Sequence, residues 1–444
     1  MSRTHIIPPP LIGEPCTRLA PRRTETCMRT FMMSVTLALS VASSATAEPN
    51  ILRCGRILDV QTGKVASNQV IVIDAGRIAE VRAATPQDRG VDLTSLTCLP
   101  GLIDAHTHLM TDLRARGYQG LGVSLPRQTL AGAKNALVTL NAGFTTVRNL
   151  GARGFADVAL RDAINAGDVP GPRMIVSGPA LSITGGHCDS NLLAEEFHFR
   201  SGGVADGPWA VRAKVRENVK YGADVIKMCA SGGVMSKGDQ PGTQQYTLEE
   251  MQAIVEEAHK LGRRVAAHAH GTSSIIDAIK AGVDSVEHAS LIDDVGIALA
   301  KEHNTALVFD IYNDDFILTE GLKTGMLPES IEKEKQIGRV QRENFRRAQQ
   351  AGTRMVFGTD SGVYPHGDNA RQFAKMVEWG MASLEAIQAA TINAADLLGL
   401  STTIGTLQPG FAADVIAVTG NPLDDVRVLE SVRFVMRGGV VVRN

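Results

Sequence analysis

Aromatic residues are scarce in this chain of 444 residues, at 4%, and neither sign of charge prevails. Lys and Arg number 45 against 47 Asp and Glu, so the formal net charge is −2. Without a strong positive field, the chain has no electrostatic means of holding nucleic acid or an anionic membrane surface. The hydrophobic share of 44% and the charged share of 21% are those of a globular protein, which excludes disorder. We therefore expect a small-molecule partner.

Long hydrophobic runs are also absent, since the longest near the start, Phe31–Val41, is too short to cross a bilayer. A small-x-small sequence, Ala45-Thr46-Ala47, follows it, as at a signal-peptidase site. We predict a signal peptide over residues 1–47, cleaved after Ala47, and export to the periplasm or the medium. A buried N-terminal helix is the alternative, which the helix-breaking Pro49 disfavours.

Cysteine is too sparse for a thiolate metal site, because no two of the six cysteines form a CxxC pair. Cys16 and Cys27 lie in the predicted signal peptide, and both Met1 and Met28 remain open as the start. The cysteines of the mature chain are Cys54, Cys98, Cys188 and Cys229. An exported protein can pair them, but the sequence does not show which pairs form.

The two ends of the mature chain consist of short strand patterns. Residues 69–81 and 432–442 each have the pattern of a β-hairpin. Neither end alone can bury one face of a sheet. We therefore predict a small β-sandwich built jointly from residues 48–99 and 402–444, with a long domain, residues 100–401, inserted between them.

The inserted domain repeats one pattern, in which a helix ends at a glycine and a strand follows within a few residues. The glycines are Gly143, Gly222, Gly262, Gly282 and Gly352. The helix before Gly262 begins with a capping box, Thr247 with Glu250. Eight strand candidates alternate with helices in this way. The predicted fold is α/β, with a (β/α)8 TIM-like barrel inserted into the β-sandwich.

Polar side chains stand where the predicted barrel strands end, which is where barrel enzymes carry their chemistry. They are His106, His108, Lys227, His268, His288 and Asp360. His106 and His108 are two residues apart and so point the same way on a strand. By itself that pair is as well explained by hydrogen-bonded core histidines. Burying six such groups at five strand ends would cost several kcal/mol of desolvation free energy for each group. A pair of bound metal ions would compensate for that cost.

Two divalent ions account for the whole set. We expect His106, His108 and Asp360 to hold one ion and His268 and His288 the other. Ligands of this kind without thiolate suit zinc best, with cobalt or manganese as alternatives. A buried, deprotonated Lys227 can take up carbon dioxide and bridge both ions as a carbamate. The alternative is an uncarboxylated lysine beside a single ion.

These residues, with Pro100-Gly101-Leu102-Ile103-Asp104 before them, resemble the amidohydrolase superfamily over essentially the whole mature chain. Thr184-Gly185-Gly186-His187, the Ser231-Gly232-Gly233-Val234 loop and the lysine are similar to the branch of bacterial Xaa-Pro dipeptidases and metal-dependent carboxypeptidases. That branch includes hydrolases of ochratoxin A. The resemblance implies cleavage of amide bonds in small carboxylate-bearing substrates, such as Xaa-Pro dipeptides, N-acyl amino acids and ochratoxin A.

The expected reaction is attack on the amide carbonyl by a hydroxide shared between the two ions. Asp360 would accept the proton of the water and deliver it to the leaving nitrogen. His187 would stabilise the oxyanion; the alternative is a loop histidine satisfied by backbone carbonyls. A cyclic-amide hydrolase or a deaminase acting on heterocyclic C–N bonds is the alternative function, favoured by a single-metal site. A non-catalytic binding protein is disfavoured because no candidate ligand is missing.

Three residues are candidates for binding the substrate: Tyr246, His270 and Arg371. A packing role for Tyr246 and a solvated surface role for Arg371 are the alternatives. The charged stretch 310–338 is either a lid or a surface insertion. We further expect a homo-oligomer.

Overall fold

The computed structural model describes residues 50–444, so the predicted signal peptide lies outside the described residues. The strands are β1 Asn50–Leu58, β2 Val65–Asp74, β3 Arg77–Ala83, β4 Val91–Pro100, β5 Leu102–Thr107, β6 Phe144–Asn149, β7 Arg173–Val176, β8 Val225–Cys229, β9 Arg264–Ala269, β10 Ser285–His288, β11 Ala306–Val308, β12 Val415–Val418, β13 Phe434–Arg437 and β14 Val440–Arg443. The helices are α1 Leu125–Asn141, α2 Ala156–Ala166, α3 Pro208–Lys220, α4 Leu248–Lys260, α5 Thr272–Ala281, α6 Asp294–Glu302, α7 Asn313–Glu320, α8 Pro328–Gln350, α9 Arg371–Glu378, α10 Ser383–Ala389 and α11 Ile392–Leu397.

Both chain ends build one β unit, as predicted. Seven strands form a single mixed sheet in the order β14-β13-β12-β4-β1-β2-β3. The two ends join where β12 pairs antiparallel with β4, with Ala417 opposite Cys98. The outer hairpins of the sheet meet, so a Cβ atom added at Gly76 would lie 2.8 Å from the carbonyl oxygen of Gly438. Gly76 also has φ +77°, which glycine adopts without strain. A disulfide between Cys54 and Cys98 links β1 to β4.

The barrel follows directly after this sheet, because the chain passes from β4 to β5 at Gly101. Strands β5, β6 and β7 form one parallel sheet and β8 to β11 another. Two further connections close the circle, one between Leu181 and β8 and one through residues 355–361, between β11 and β5. Residues 355–361 are the predicted eighth strand. They pair only through isolated bridges, and the chain turns at Asp360, which has φ +54°.

The helices of the barrel begin and end with the capping residues that the sequence predicts. The side chain of Thr247 accepts a hydrogen bond from the backbone of Glu250, and the Glu250 side chain accepts one in return, so the capping box of α4 is confirmed. All five predicted terminal glycines have positive φ, between 69° and 98°. Each helix can therefore turn back into the next strand within a short connection.

One hydrophobic cluster joins the composite sheet to the barrel, and a second lies within the sheet, where it includes Leu52, Ile71 and Phe434. A buried cluster runs from Leu58 and Leu99 of the sheet, through the barrel, to Ile416 and Val435. Residues 50–444 accordingly lie in one compact unit. Within residues 50–444, the helices are either too short or too polar to cross a membrane.

Candidate active site

The six polar residues predicted at the strand ends meet at one mouth of the barrel. Together they line a cavity of about 80 Å³, which we call the central cavity. Five strand ends supply them: β5 and its extension, β8, β9, β10 and the segment that ends at Asp360. The carboxyl ends of parallel barrel strands all face one side, which explains why residues so distant in sequence converge.

One group of possible metal ligands is the predicted trio His106, His108 and Asp360. The Nε2 atoms of His106 and His108 lie 3.4 Å and 3.0 Å from Oδ1 of Asp360. All three ligand atoms lie within 4.8 Å of one another. Two imidazoles and a carboxylate at this spacing suit a divalent ion of the zinc class.

A second group comprises His268 and His288, as predicted, together with His270. A third comprises His288, Asp310 and Asp360. The rings of His268 and His288 have their centroids 4.6 Å apart, in an edge-to-face arrangement. His288 and Asp360 thus lie between the groups, so that the ligands of two ions are close enough to be shared. His270 was expected to line the substrate pocket, but its geometry also suits a metal ligand.

Lys227 lies in the same cavity and is 3% exposed. Its Nζ has no hydrogen-bond partner among residues 50–444. Burial lowers the pKa of Lys227 to about 8, although the nearby carboxylates of Glu287 and Asp360 act in the opposite direction. A buried amine without a partner, whose neutral form burial favours, suits a lysine that would be modified or would bind a metal ion. The donor set of this cavity therefore fits two divalent ions.

The sequence profile of the Amidohydrolase family matches residues 97–442. The chain belongs to the amidohydrolase family. As predicted, the protein is a hydrolase acting on amide bonds.

Relatives of this amidohydrolase agree with that assignment. An ochratoxinase of Aspergillus niger is 34% identical over 466 residues, covering 97% of this chain and 94% of its own. The crystal structure of a Xaa-Pro dipeptidase with methionine bound in its active site superposes with a TM-score of 0.84 at 36% identity, covering 89% of this chain and all of its own. The crystal structure of a prolidase in complex with N-methylphosphonate-L-proline superposes with a TM-score of 0.81 at 32% identity, again covering 89% of this chain and all of its own.

Two carboxylates accept hydrogen bonds from two histidines of the amidohydrolase site and so orient their rings. Nδ1 of His106 donates to Oε2 of Glu287 at 3.0 Å, and Nδ1 of His288 donates to Oδ2 of Asp310 at 3.0 Å. Each bond leaves Nε2 of the same ring available for a metal ion. Burial lowers the pKa of His288 to about 3 and also lowers that of His106, so both rings are neutral, the form that binds metal.

Glu287 belongs to a network inside the barrel that the sequence interpretation missed. Its Oε1 accepts from Nη2 of Arg148 at 2.8 Å, and both side chains are at most 1% exposed. Arg148 also donates to the backbone oxygen of Ala105, next to His106. A signal was present, since Arg148 and Glu287 are charged residues inside strands that are otherwise buried throughout.

The backbone is strained at two of the candidate ligand positions. Asp360 has φ +54° and His288 has φ +70°, a left-handed region that residues other than glycine rarely adopt. Such conformations persist where the surrounding structure fixes them, and they concentrate at functional sites. Here they turn both side chains from the strand ends towards the central cavity.

His187 lines the central cavity as predicted. Its ring stacks on that of His268, with the centroids 4.0 Å apart. Nδ1 of His187 lies 2.8 Å from the hydroxyl oxygen of Ser236, a side chain and not the backbone carbonyl considered as the alternative. A disulfide between Cys188 and Cys229 ties this loop to β8.

Two predicted substrate-binding residues lie elsewhere. The hydroxyl of Tyr246 donates to the backbone oxygen of Ala205, and the side chain is fully buried outside the cavities described here. It serves packing, the alternative left open above. Arg371 begins α9 with its side chain 52% exposed, beside Asp368 and Tyr312, and it does not line the central cavity. The prediction for these two residues is corrected.

Helices α7 and α8 cover one side of the site. They contribute to the wall of the central cavity the side chains of Asn313, Ile317, Glu334, Ile337 and Gln341, and the loop before α7 contributes Asp310. The charged stretch 310–338 is therefore part of the active-site wall. Burial, with the neighbouring Asp314 and Asp310, raises the pKa of Glu334 to about 8.

Two further cavities adjoin the central one. The large side cavity, about 610 Å³, shares His108, Leu150 and Cys188 with it and is otherwise lined mainly by apolar and glycine residues. The small side cavity, about 280 Å³, shares His187 and Met235 with the central cavity. The central cavity has room for ions and the reacting bond, so the bulk of a substrate must lie in the side cavities.

Proposed function

We propose that this amidohydrolase cleaves the amide bond of small substrates with a free carboxylate, using two divalent metal ions. The observation that carries the proposal is the convergence of three ligand groups around Lys227, whose buried amine has no partner among the described residues. Substrates of this class are Xaa-Pro dipeptides, N-acyl amino acids and ochratoxin A. The names of the relatives, ochratoxinase and prolidase, support the same class.

His106, His108 and Asp360 would hold one ion, and His268 and His288 the other, with His270 as a further donor beside them. Asp310 would orient His288 through the hydrogen bond to its Nδ1. Zinc suits this set, and cobalt or manganese are alternatives. Lys227 would bridge the pair after its neutral amine adds to carbon dioxide, which forms an N–C bond and releases one proton. The bound ions would act as Lewis acids toward the amide carbonyl and make an attacking water more acidic.

Asp360 is the proton carrier in this proposal. Its Oδ1 lies within 3.4 Å of both histidine Nε2 atoms, and its side chain is 13% exposed, so it reaches the open side of the cavity. The carboxylate takes the proton of the attacking water and passes it to the leaving nitrogen. His187, whose ring stacks on that of His268 in the same cavity, would contact the carbonyl oxygen.

The large side cavity supports a bulky acyl group on the substrate. Met110, Leu121, Val123, Leu192 and Phe199 form much of its apolar lining. An aromatic or branched acyl group gains about 25 cal/mol for each Å² of apolar surface that it removes from water there. We therefore expect substrates with large apolar acyl groups to be preferred over acetylated ones.

Metal counting and one lysine variant test the centre. Active protein should contain about two divalent ions per chain, lose activity in chelator and regain it with zinc, cobalt or manganese. Lys227→Ala should abolish activity, and formate or acetate should restore part of it by replacing the carbamate. Lys335→Ala, an exposed lysine paired with Glu332 on α8, is the control and should be unaffected. One ion in fully active protein, or a normal Lys227→Ala variant, contradicts the binuclear proposal.

A substrate panel tests the reaction. Metal-replete protein should hydrolyse dipeptides ending in proline, N-acyl amino acids or the phenylalanine amide of ochratoxin A. Asp360→Asn should lower kcat by orders of magnitude, with metal content measured alongside because the change also weakens a ligand. Hydrolysis of none of these amides together with deamination of a purine or pyrimidine, or opening of a cyclic amide, would establish the alternative function instead.

We also propose export and self-association. The two disulfides support an oxidising compartment such as the periplasm or the medium. A homo-oligomer is expected, and light scattering coupled to size-exclusion chromatography measures it. A mass equal to one chain at micromolar concentration contradicts that expectation.

A further inference from the structure

Arg116 is a buried cation that forms no ion pair within residues 50–444, although the Asp360 carboxylate lies near enough to act on its charge. Arg116 lies in the loop between β5 and α1 and is 9% exposed. Its Nη2 donates to the backbone oxygens of Gly362 and Val363, which closely follow Asp360 in the chain. Its other two nitrogens, Nε and Nη1, have no hydrogen-bond partner within residues 50–444. No carboxylate of the described chain therefore accepts a bond from this guanidinium.

Such an arrangement is costly by itself. Burying a charge is unfavourable unless it is paired, and two carbonyls satisfy only part of a guanidinium with five N–H donors. A planar guanidinium matches a carboxylate in geometry as well as in charge, with two parallel hydrogen bonds. The two unpartnered nitrogens are also closed to solvent, so a carboxylate that reaches them during the reaction would supply the hydrogen bonds that they lack.

The cavity that Arg116 lines is the small side cavity, next to the reacting groups. It shares His187 and Met235 with the central cavity, and Lys237 adds a second cation. Asp189 also lines it. Its carboxylate, however, already accepts hydrogen bonds from the backbone N–H groups of Gly185, Ser190 and Ser201. At about 280 Å³, the cavity falls just below the range of about 300–1,000 Å³ typical of sites for drug-sized ligands, and suits a single amino acid.

We propose that Arg116 binds the terminal carboxylate of the leaving amino acid, which occupies the small side cavity. This rests on the proposed function and assigns to Arg116 the role that the sequence interpretation gave to Arg371. The acyl half of the substrate then passes His108 into the large side cavity, which adjoins the small one at Gly117, Ser190 and Leu192. The scissile amide lies between the two, beside Asp360 and His187. The orientation makes the enzyme selective for amides whose leaving group ends in a free carboxylate.

A purely structural role for Arg116 makes a different prediction. Its bonds to Gly362 and Val363 hold the chain just beyond Asp360. If that were its only role, substitution would slow every substrate equally. Only carboxylate binding predicts a loss that depends on whether the substrate carries the charge.

The test uses matched substrate pairs that differ only at the terminus, an N-acyl amino acid and its primary amide. The variants are Arg116→Met, which removes the charge, and Arg116→Lys, which keeps it without the planar geometry. Arg114→Met, two residues away with an exposed side chain paired to Asp112, controls for loss of charge in this loop. Metal content and melting temperature are measured for each protein.

Wild-type protein should prefer the free acid. Arg116→Met should lower kcat/KM for the acid about 10- to 100-fold and leave that for the amide nearly unchanged. Arg116→Lys should fall between, and Arg114→Met should retain the wild-type preference. Equal losses for acid and amide, or no loss in folded, metal-replete Arg116→Met, overturn the inference while the proposed function stands. Wild-type protein that hydrolyses neither member of any pair contradicts the proposed function itself.

Discussion

Nδ1 of His106 donates a hydrogen bond of 3.0 Å to Oε2 of Glu287, and both side chains are almost completely buried. The bond joins β5 to β10 across the barrel interior. Because the same carboxylate is paired with Arg148, the orientation of a ring that we propose to bind metal depends on an ion pair within the barrel core. The stability of the barrel and the geometry of the site are therefore coupled at Glu287.

Glu287→Gln should lower metal affinity or kcat, although Glu287 is not itself a candidate metal ligand. The amide cannot match the charge of Arg148 and binds the His106 ring less firmly, so metal affinity or kcat should fall about 10- to 100-fold. Metal titration and steady-state kinetics measure this. Glu332→Gln, in an exposed pair with Lys335, is the control. Unchanged metal affinity and kcat in Glu287→Gln would show that the ring is held by other contacts.

Removing either disulfide should lower the free energy of unfolding, but only the removal of Cys188–Cys229 should lower kcat. Their sequence separations are 44 and 41 residues, so chain entropy predicts a similar loss of unfolding free energy, about 4 kcal/mol, when either is removed. Only Cys188–Cys229 ties the His187 loop to β8. Cys188→Ser with Cys229→Ser should lower kcat, whereas Cys54→Ser with Cys98→Ser should leave it near normal at temperatures where both proteins are folded. Equal kcat values in the two double variants would refute a role for the disulfide in positioning His187.

Glu334 should make the metal-free protein less stable as the pH rises. Burial raises the pKa of this carboxyl to about 8, above its ordinary value of 4.5, so the folded state binds a proton that the unfolded state releases. Stability from this group is full below about pH 4.5 and is lost as pH rises through 8. Glu334→Gln should flatten that dependence and raise the melting temperature most at pH 9. A melting curve series from pH 5 to 9, in chelator, checks it; parallel profiles for the two proteins would contradict it.

Tyr246→Phe should affect stability and not recognition. It removes the hydrogen bond to the Ala205 carbonyl, at a cost of about 1 kcal/mol in unfolding free energy. The KM for carboxylate-bearing substrates should stay as in the wild type, as it should for Arg371→Gln at the exposed start of α9. A rise in KM confined to free-acid substrates in either variant would return that residue to the binding site.

Protein recovered from the periplasm or the medium should begin at Glu48. The apolar run before Ala47 and the small residues at the cleavage site are the basis of this expectation. N-terminal sequencing or intact mass measures it, with the cytosolic fraction as the comparison. Recovery of only an uncleaved cytosolic form would show that the leader is not processed.

The alternation of strands and helices was readable from the sequence because its signals are local. A glycine that ends a helix, such as Gly262, and the Thr247 capping box act over a few residues, and the structure has both. The strand-end ligands were readable for a related reason. Polar residues such as His106 and Lys227 interrupt apolar strands, and a barrel places all its strand ends at one mouth.

Contacts that join distant segments were decided only by the tertiary structure. Glu287 and His106 form a hydrogen bond although they are 181 residues apart in sequence. Arg116 donates to backbone carbonyls that lie 246 and 247 residues further along the chain. Arg371 and Arg116 both read as loop arginines in the sequence, since nothing local separates a solvated guanidinium from a buried one. Their difference lies in desolvation and in the missing partner, which depend on how the loops pack around the barrel mouth. Sequence thus determined which residue types gather at the site, and packing decided which of them face the substrate.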